Sequence, residues 1–306
     1  MGGTIVKLGL IQDGILTQFS QFEANRRGGL RHSLPIIMNH VQEMMTDSNV
    51  RVSDLDGVGL SFPCIVDNQE KCVLATNEKY IDAEDFDLAA WAEDEFGCHF
   101  EIDNDARMAL MGEWIYGAGK GSDDLVMMTI GTGIGGAAMM NGRLVRGKHH
   151  QAGCLGGHFI VQSGGRKCSC GGQGCVEAEA STWQLPNLMS ADPRFEKESA
   201  DDDPMSFRVL FGEAEKGDDL HKDIRDHCMS IWAAGVVNMV HAYDPEIVII
   251  GGGVMRSGKV ILPFLQKEVE RLAWTPWGQP EVVSAHLGDH AALLGSHYII
   301  SQSVAL

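Results

Sequence analysis

At 306 residues the chain exceeds what one compact core usually serves, so two lobes around a cleft are expected, and a hydrophobic content of 44% supplies a core for each. A formal charge of −18 and a pI near 5.0 repel a phosphate backbone, and the cationic residues are scattered instead of gathered into a stripe, which excludes nucleic acid as the expected partner. The opening MGGTIVKLGLIQDG has no basic region followed by an apolar run, and no stretch is long enough to cross a bilayer, so a cytoplasmic protein with no membrane partner is expected.

Thr4 to Ile11 and Ile15 to Phe22 are β-prone runs separated by Gln12-Asp13-Gly14, which predicts a hairpin. Arg31 to Met45 has helical spacing, and Gly57 to Phe62 (GVGLSF) reads as a buried strand stopped by Pro63. Asp87 to Phe96 predicts a helix that leads to a strand at His99 to Ile102, and Asp105 to Tyr116 a helix with small and apolar residues on one face. Asp124 to Ile130 is a strand, followed by the loop GTGIGG and a second strand, Gly136 to Met140, turned by Asn141-Gly142. Gly153 to Gly174 is glycine-rich and irregular, and Asp192 to Pro204 is polar and acidic, the pattern of a surface insertion. A helical stretch from Leu220 to Tyr243 then leads to a strand at Ile247 to Ile250 and the loop Gly251-Gly252-Gly253. Another helix, a strand near Val282 to Ala285 and a closing helix from His290 complete the chain. Each half opens with a hairpin bearing a Gly-Thr turn, Gly2-Gly3-Thr4 and Gly131-Thr132-Gly133, so duplicated βββαβα lobes facing a nucleotide are expected.

Gly131 to Gly136 contains a formal G-x-G-x-x-G. A dinucleotide fingerprint should open a helix and find an acidic residue about 20 positions on. Here a strand follows, and no acidic residue lies between Asp124 and Glu177. Gly119-Lys120-Gly121-Ser122 is no P-loop either, because it follows a helix and has Gly where Ser or Thr belongs. What remains is either an ordinary tight hairpin turn or a loop whose glycines admit an anion to backbone amides, with the Thr132 hydroxyl as a further donor. Of eight cysteines, Cys168, Cys170 and Cys175 crowd into one glycine-rich loop. With His158 they supply one imidazole and three thiolates, the set of a closed structural zinc site, against the alternative of buried free thiols. Cys64, Cys72, Cys98, Cys154 and Cys228 have no partner pattern and read as small apolar residues.

Five stretches in order, IDNDARMALMGEWIYGAGKG, GTGIGG, GGHFIV with CSCGGQGCVEAEAS, YDPEIVIIGGGV and HLGDHAALLGS, make the chain resemble the ROK family of the hexokinase and actin superfamily over nearly its whole length. The resemblance implies an α/β, two-lobed actin-like ATPase (ribonuclease H-like) fold with an interlobe cleft. The small lobe would comprise residues 1–108 plus about 289–306, and the large lobe 109–288. The resemblance further implies ATP-dependent phosphorylation of a hexose or N-acetylated hexosamine, with Mg2+, a structural Zn2+ on His158, Cys168, Cys170 and Cys175, and a homodimer. Asp105 would be the catalytic base. Asn77, Asn104, Asp105, His158 and Glu177 would contact the sugar, Gly2, Gly3, Thr4, Gly131, Thr132 and Gly133 the phosphates, and Gly252 and Gly253 the adenosine. Asn104-Asp105 at a helix start is also the pattern of plain N-capping. The alternative function is a non-catalytic sugar-binding regulatory protein of the same family.

Two departures stand out. The family's E-x-G-H motif becomes Ala152-Gly153-Cys154-Leu155-Gly156-Gly157-His158, which puts Leu155, or with one inserted residue Cys154, at the Glu position; neither replaces a carboxylate acceptor. A changed or broader sugar range is the expectation. The family's first phosphate loop is D-x-G-G-T, whose Asp and preceding strand would lie ahead of Met1, so a late start is expected.

Overall fold

The computed structural model describes residues 1–2, 4–24, 28–77, 79–195 and 206–304. The strands and helices through the first half are β1 (Ile5–Gln12), β2 (Ile15–Glu23), α1 (Leu30–Asp47), β3 (Gly57–Phe62), β4 (Ile65–Asp67), β5 (Cys72–Ala75), α2 (Leu88–Phe96), β6 (His99–Asn104) and α3 (Asp105–Tyr116). They continue as β7 (Leu125–Ile130), β8 (Ile134–Met140), β9 (Arg143–Leu144), α4 (Val176–Ala180), α5 (Leu185–Ser190), α6 (Phe207–Lys216), α7 (Asp219–Tyr243), β10 (Ile247–Gly251), α8 (Gly258–Leu272), β11 (Glu281–Ser284) and α9 (Ala291–Val304). Contacts divide the chain into two compact units. One is Met1–Gly121 with Leu144–Cys154 and His286–Leu306, and the other is Ser122–Arg143 with Leu155–Ala285. No helix among the described residues is long and apolar enough to cross a membrane.

In the first unit β1 and β2 pair antiparallel about Asp13-Gly14, where both residues have positive φ, and β3 runs parallel to β6. Among the described residues β1 and β3 each pair on one side only. An apolar cavity of about 220 Å3, partly open to solvent, lies between them and is lined by Leu8, Leu10, Ile37, Val58, Leu60 and Ile300. The short hairpin β4–β5 was not anticipated from sequence, because its strands of three and four residues are too brief for an alternation pattern. Asp87 caps α2 by accepting the Ala90 amide at 2.9 Å, and left-handed Gly97 ends that helix.

The second unit contains a five-stranded sheet in the order β11-β10-β7-β8-β9, with β7, β10 and β11 parallel and β8 antiparallel to β7. Here β7 occupies the place between a hairpin partner and a parallel strand that is a cavity in the first unit. The hairpin after GTGIGG is therefore as expected, and a dinucleotide-binding helix is not. Helix α7 buries Trp232 completely, and its indole N–H donates to Ala180 O at 2.8 Å between the rings of Phe207 and Phe211. Helix α6, which carries those two rings, was not read from the sequence. It begins directly after the acidic stretch, of which residues 196–204 lie outside the described residues.

The first unit is organised by the crossing of α3 and α9. A Cβ added at Gly112 would lie 2.0 Å from Ala291 O, and one at Gly295 would lie 1.9 Å from Met108 O, so backbone meets backbone at both points. Glu113, fully buried, then accepts the amides of Ala118 at 2.8 Å, His286 at 3.0 Å and Leu287 at 2.8 Å, which fixes the approach to α9. Gly295→Ala is expected to destabilise the protein by about 1 to 3 kcal/mol, the usual range for overpacking a tight contact. Urea unfolding of the variant checks this, and an unchanged midpoint would show that the two helices can separate freely.

Candidate functional site

The edge of the first unit that carries Asp105 is built by the junction of β6 and α3. Asn104 is the N-cap: its Oδ1 accepts the amides of Ala106 at 3.1 Å and Arg107 at 3.3 Å, while its Nδ2 donates to Cys64 O at 3.1 Å and Asp105 Oδ1 at 3.2 Å. Asn104 thus takes the plain N-cap role. Asp105 Oδ1 also accepts the Ala106 amide at 2.8 Å, leaving Oδ2 outside the capping bonds. Burial pushes the Asp105 carboxyl above the usual carboxylate range, and the Lys79 cation opposes that shift. Asn77 belongs to the same neighbourhood, because its backbone amide faces the Cys64 thiol, which burial raises to about 11. Sequence reading did not single out Lys79, although it lies in the same TNEKY segment as Asn77.

Cys154 and Leu155 separate here. Cys154 falls in the first unit and Leu155 in the second. The Cys154 thiol is buried within the electrostatic reach of Arg107, Asp103 and Asp105, and burial raises its pKa. Of the phosphate residues expected at the start, Gly2 donates its amide to Ile5 O at 3.0 Å, and Thr4 O accepts from Ala24 at 2.8 Å; Gly3 lies outside the described residues.

In the second unit the two glycine loops leave the carboxyl ends of adjacent parallel strands, with Gly251 of β10 in register with Thr129 of β7. Such ends are where open α/β sheets bind ligands. Gly252 has φ of 91°, and a Cβ there would lie 2.3 Å from Ile130 O, so only glycine lets this loop close on β7. Gly131, Thr132 and Gly133 form the β7–β8 turn, whose first two carbonyls accept the amides of Thr182 and Trp183 at 3.2 Å each. Glu177, half-buried on α4, reaches this turn: its Oε2 accepts the Ile134 amide at 2.8 Å and would touch any Cβ on Gly133.

His158, Cys168, Cys170 and Cys175 come together in the same unit, with one donor atom from each and all four within 4.8 Å of one another. Zinc bonds of about 2.3 Å to sulfur and 2.0 Å to nitrogen require tetrahedral edges of about 3.8 Å between sulfurs and 3.5 Å between sulfur and nitrogen. Cys170 and Cys175 Sγ are 3.7 Å apart, and Cys168 Sγ is 3.5 Å from His158 Nδ1, so the donor set fits. Burial and the neighbouring sulfurs push the Cys168 and Cys175 thiols up. The residue that sequence reading missed is Glu179. It is completely buried and accepts both the backbone amide and the guanidinium of Arg166, each at 2.5 Å, which closes the glycine-rich loop against α4.

The chain matches the model of the ROK family over residues 1–303. It is 28% identical to a glucokinase of Halalkalibacterium halodurans, over 99% of this chain and 93% of that one. It is 26% identical to the xylose repressor of Bacillus subtilis, over 94% of this chain and 71% of the repressor. The structure superposes with a TM-score of 0.83 on a ROK family glucokinase from Streptomyces griseus in complex with glucose and AMPPNP, at 27% identity over 99% of this chain and 97% of that one. With the α/β architecture and both glycine loops in place, the chain belongs to the ROK family.

Proposed function

We propose that the protein is a sugar kinase that transfers the terminal phosphoryl group of ATP to a hydroxyl of a hexose or an N-acetylated hexosamine. The observation that carries the reading is Asp105: a carboxyl at the first position of α3, with a raised pKa and one oxygen free of the cap. The sugar hydroxyl gives its proton to Asp105 Oδ2 as its oxygen attacks the terminal phosphorus; the bond to the bridging oxygen breaks and ADP leaves. Asn104 holds Asp105 Oδ1, so the proton-accepting oxygen has a fixed direction. By the family resemblance Asn77, Glu177 and His158 are assigned to sugar hydroxyls, Gly2, Gly3, Thr4 and Gly131 to Gly133 to phosphates, and Gly252 and Gly253 to adenosine. The open space at Gly131 and Gly253, where an added Cβ would meet no atom within 4 Å, supports these assignments.

Magnesium accompanying the triphosphate supplies charge neutralisation there. The Cys3His set would hold a structural zinc, which crosslinks a loop that has little packing of its own. A homodimer in the cytoplasm belongs to the same reading, which rests in these respects on the family resemblance. Cys154, within the electrostatic reach of Asp105, is the residue assigned to the lost Glu position, so one sugar hydroxyl is held without a carboxylate.

Asp105→Asn is expected to leave the fold intact and to lower kcat by about 10² or more, with sugar KM changed much less. In the parent enzyme activity falls as pH drops through the raised Asp105 pKa, because only the ionised carboxylate accepts the proton. Normal turnover by the Asn variant would return Asp105 to helix capping alone. Metal analysis is expected to find one zinc per chain, and removal by a strong chelator is expected to abolish sugar binding; protein that is metal-free yet fully active would reject the zinc assignment. Cys154→Glu is expected to tighten glucose-like substrates by roughly tenfold, the scale of one charge-assisted hydrogen bond. An unaltered ranking of sugars in competition assays would place the missing acceptor elsewhere.

A further inference from the structure

The loop that carries Cys154 is held by side chains that the proposed reaction does not use. Asp103, 1% exposed at the end of β6, accepts the Asn104 amide at 2.7 Å and lies 3.4 Å from Arg107 Nη1, while its other oxygen meets Arg146 Nη2 at 2.5 Å. Arg107, completely buried in the first turn of α3, donates through Nη2 to His150 O at 2.9 Å and Ala152 O at 2.8 Å. The loop also closes on itself through the Ala152 amide on Arg146 O at 3.0 Å, and His150 Nε2 stands 3.3 Å from Asp67 Oδ2. Gly147 and Gly153 turn the segment at positive φ, and His150 adopts the same left-handed region, where a non-glycine residue is uncommon.

We propose that Asp103, Arg107 and Arg146 form a clamp that fixes the 145–154 loop against the first turn of α3, so that Cys154 keeps its buried place at the end of that loop and the loop sets which sugar hydroxyls the site accepts. Arg107 is then a positioning residue. Its guanidinium turns Nη2 to both loop carbonyls and Nη1 to Asp103, a spread that the single nitrogen of a lysine ammonium cannot cover in the same way. Removing the guanidinium leaves Asp103 buried without one partner and frees the His150 and Ala152 carbonyls, and the loop loses the hydrogen bonds that tie these carbonyls to α3. The role in sugar selection rests on the sugar-kinase reading, whereas the clamp itself does not.

Both parts are tested by Arg107→Met and Arg107→Lys in the full-length chain, with iodoacetamide labelling of Cys154 followed by peptide mass mapping. With Met, labelling of Cys154 is expected to quicken roughly tenfold, and sugar KM to rise by a similar factor, as loss of charge-assisted bonds implies. ATP KM should stay unchanged, and Lys should recover part of the sugar affinity. Unchanged Cys154 labelling would overturn the clamp, and equal losses toward sugar and ATP would reduce Arg107 to a general structural part. Should Arg107→Met fail to fold, Arg146→Met, at a side chain still 27% exposed, is expected to move labelling and sugar KM in the same direction, and its failure to do so would also overturn the proposal. If the parent chain phosphorylates no sugar, the kinase reading fails while the labelling result still decides the clamp.

Discussion

Backbone touches backbone where α3 crosses α9, and the position of every functional group on α3 follows from that contact. Gly112 and Gly295 remove the side chains that would otherwise hold the helices apart, and Glu113, the next residue along, takes the amides that lead into α9. A helix so fixed is a rigid strut. Its amino end then presents Asp105 and Arg107 on a first turn capped by Asn104, with the cap donating to Asp105 as well. Accuracy at a reacting carboxylate is gained from a regular element more readily than from a loop.

The second unit reaches a comparable end with a shorter helix. Glu177 and Glu179 are two residues apart on α4, a separation at which helical side chains do not share a face. One accepts the Ile134 amide beneath the Gly131–Gly133 turn, and the other takes Arg166 at the base of the cysteine loop. Five residues of helix therefore tie the Gly131–Gly133 turn to the Cys3His cluster. The cluster's fixed geometry is transmitted through α4 instead of through the loop itself, where a Cβ at Gly174 would lie 1.7 Å from Gln162 O and leaves no room for packing side chains.

The parts of this arrangement that were legible in the sequence are those written in local pattern. Alternation and turn residues gave the hairpin β1–β2, the strand β3 and the pair β7–β8 close to their observed limits, and the spacing of His158, Cys168, Cys170 and Cys175 gave a cluster that does assemble. The Asn104 cap was legible too, but its division of labour with Asp105 was not, since it depends on Cys64 from 40 positions away. Glu113, Glu179 and Arg107 escaped for a common reason. Each looks like an ordinary charged residue on a helix, and only partners brought by the tertiary fold reveal that it is buried and hydrogen-bonded there. The choice between Leu155 and Cys154 was equally closed to counting, because one inserted residue leaves two registers, whose side chains fall in different units.

The arginines behind Asp105 raise a last point about what holds this site. Taking Asp103 and Arg107 out of water costs several kcal/mol per ion, and buried ion pairs in general are replaceable by apolar residues with little loss of stability. Stability therefore gives no reason to bury a guanidinium in the first turn of α3, especially where its Nε has no partner. Geometry does. A leucine at position 107 would pack, yet it could not define the distance between α3 and the His150 and Ala152 carbonyls, whereas two hydrogen bonds of 2.9 and 2.8 Å do so within narrow limits. The cost in desolvation is offset where a loop with a left-handed His150 must hold one conformation against the first turn of α3, and that is the place in the chain where the two arginines are found.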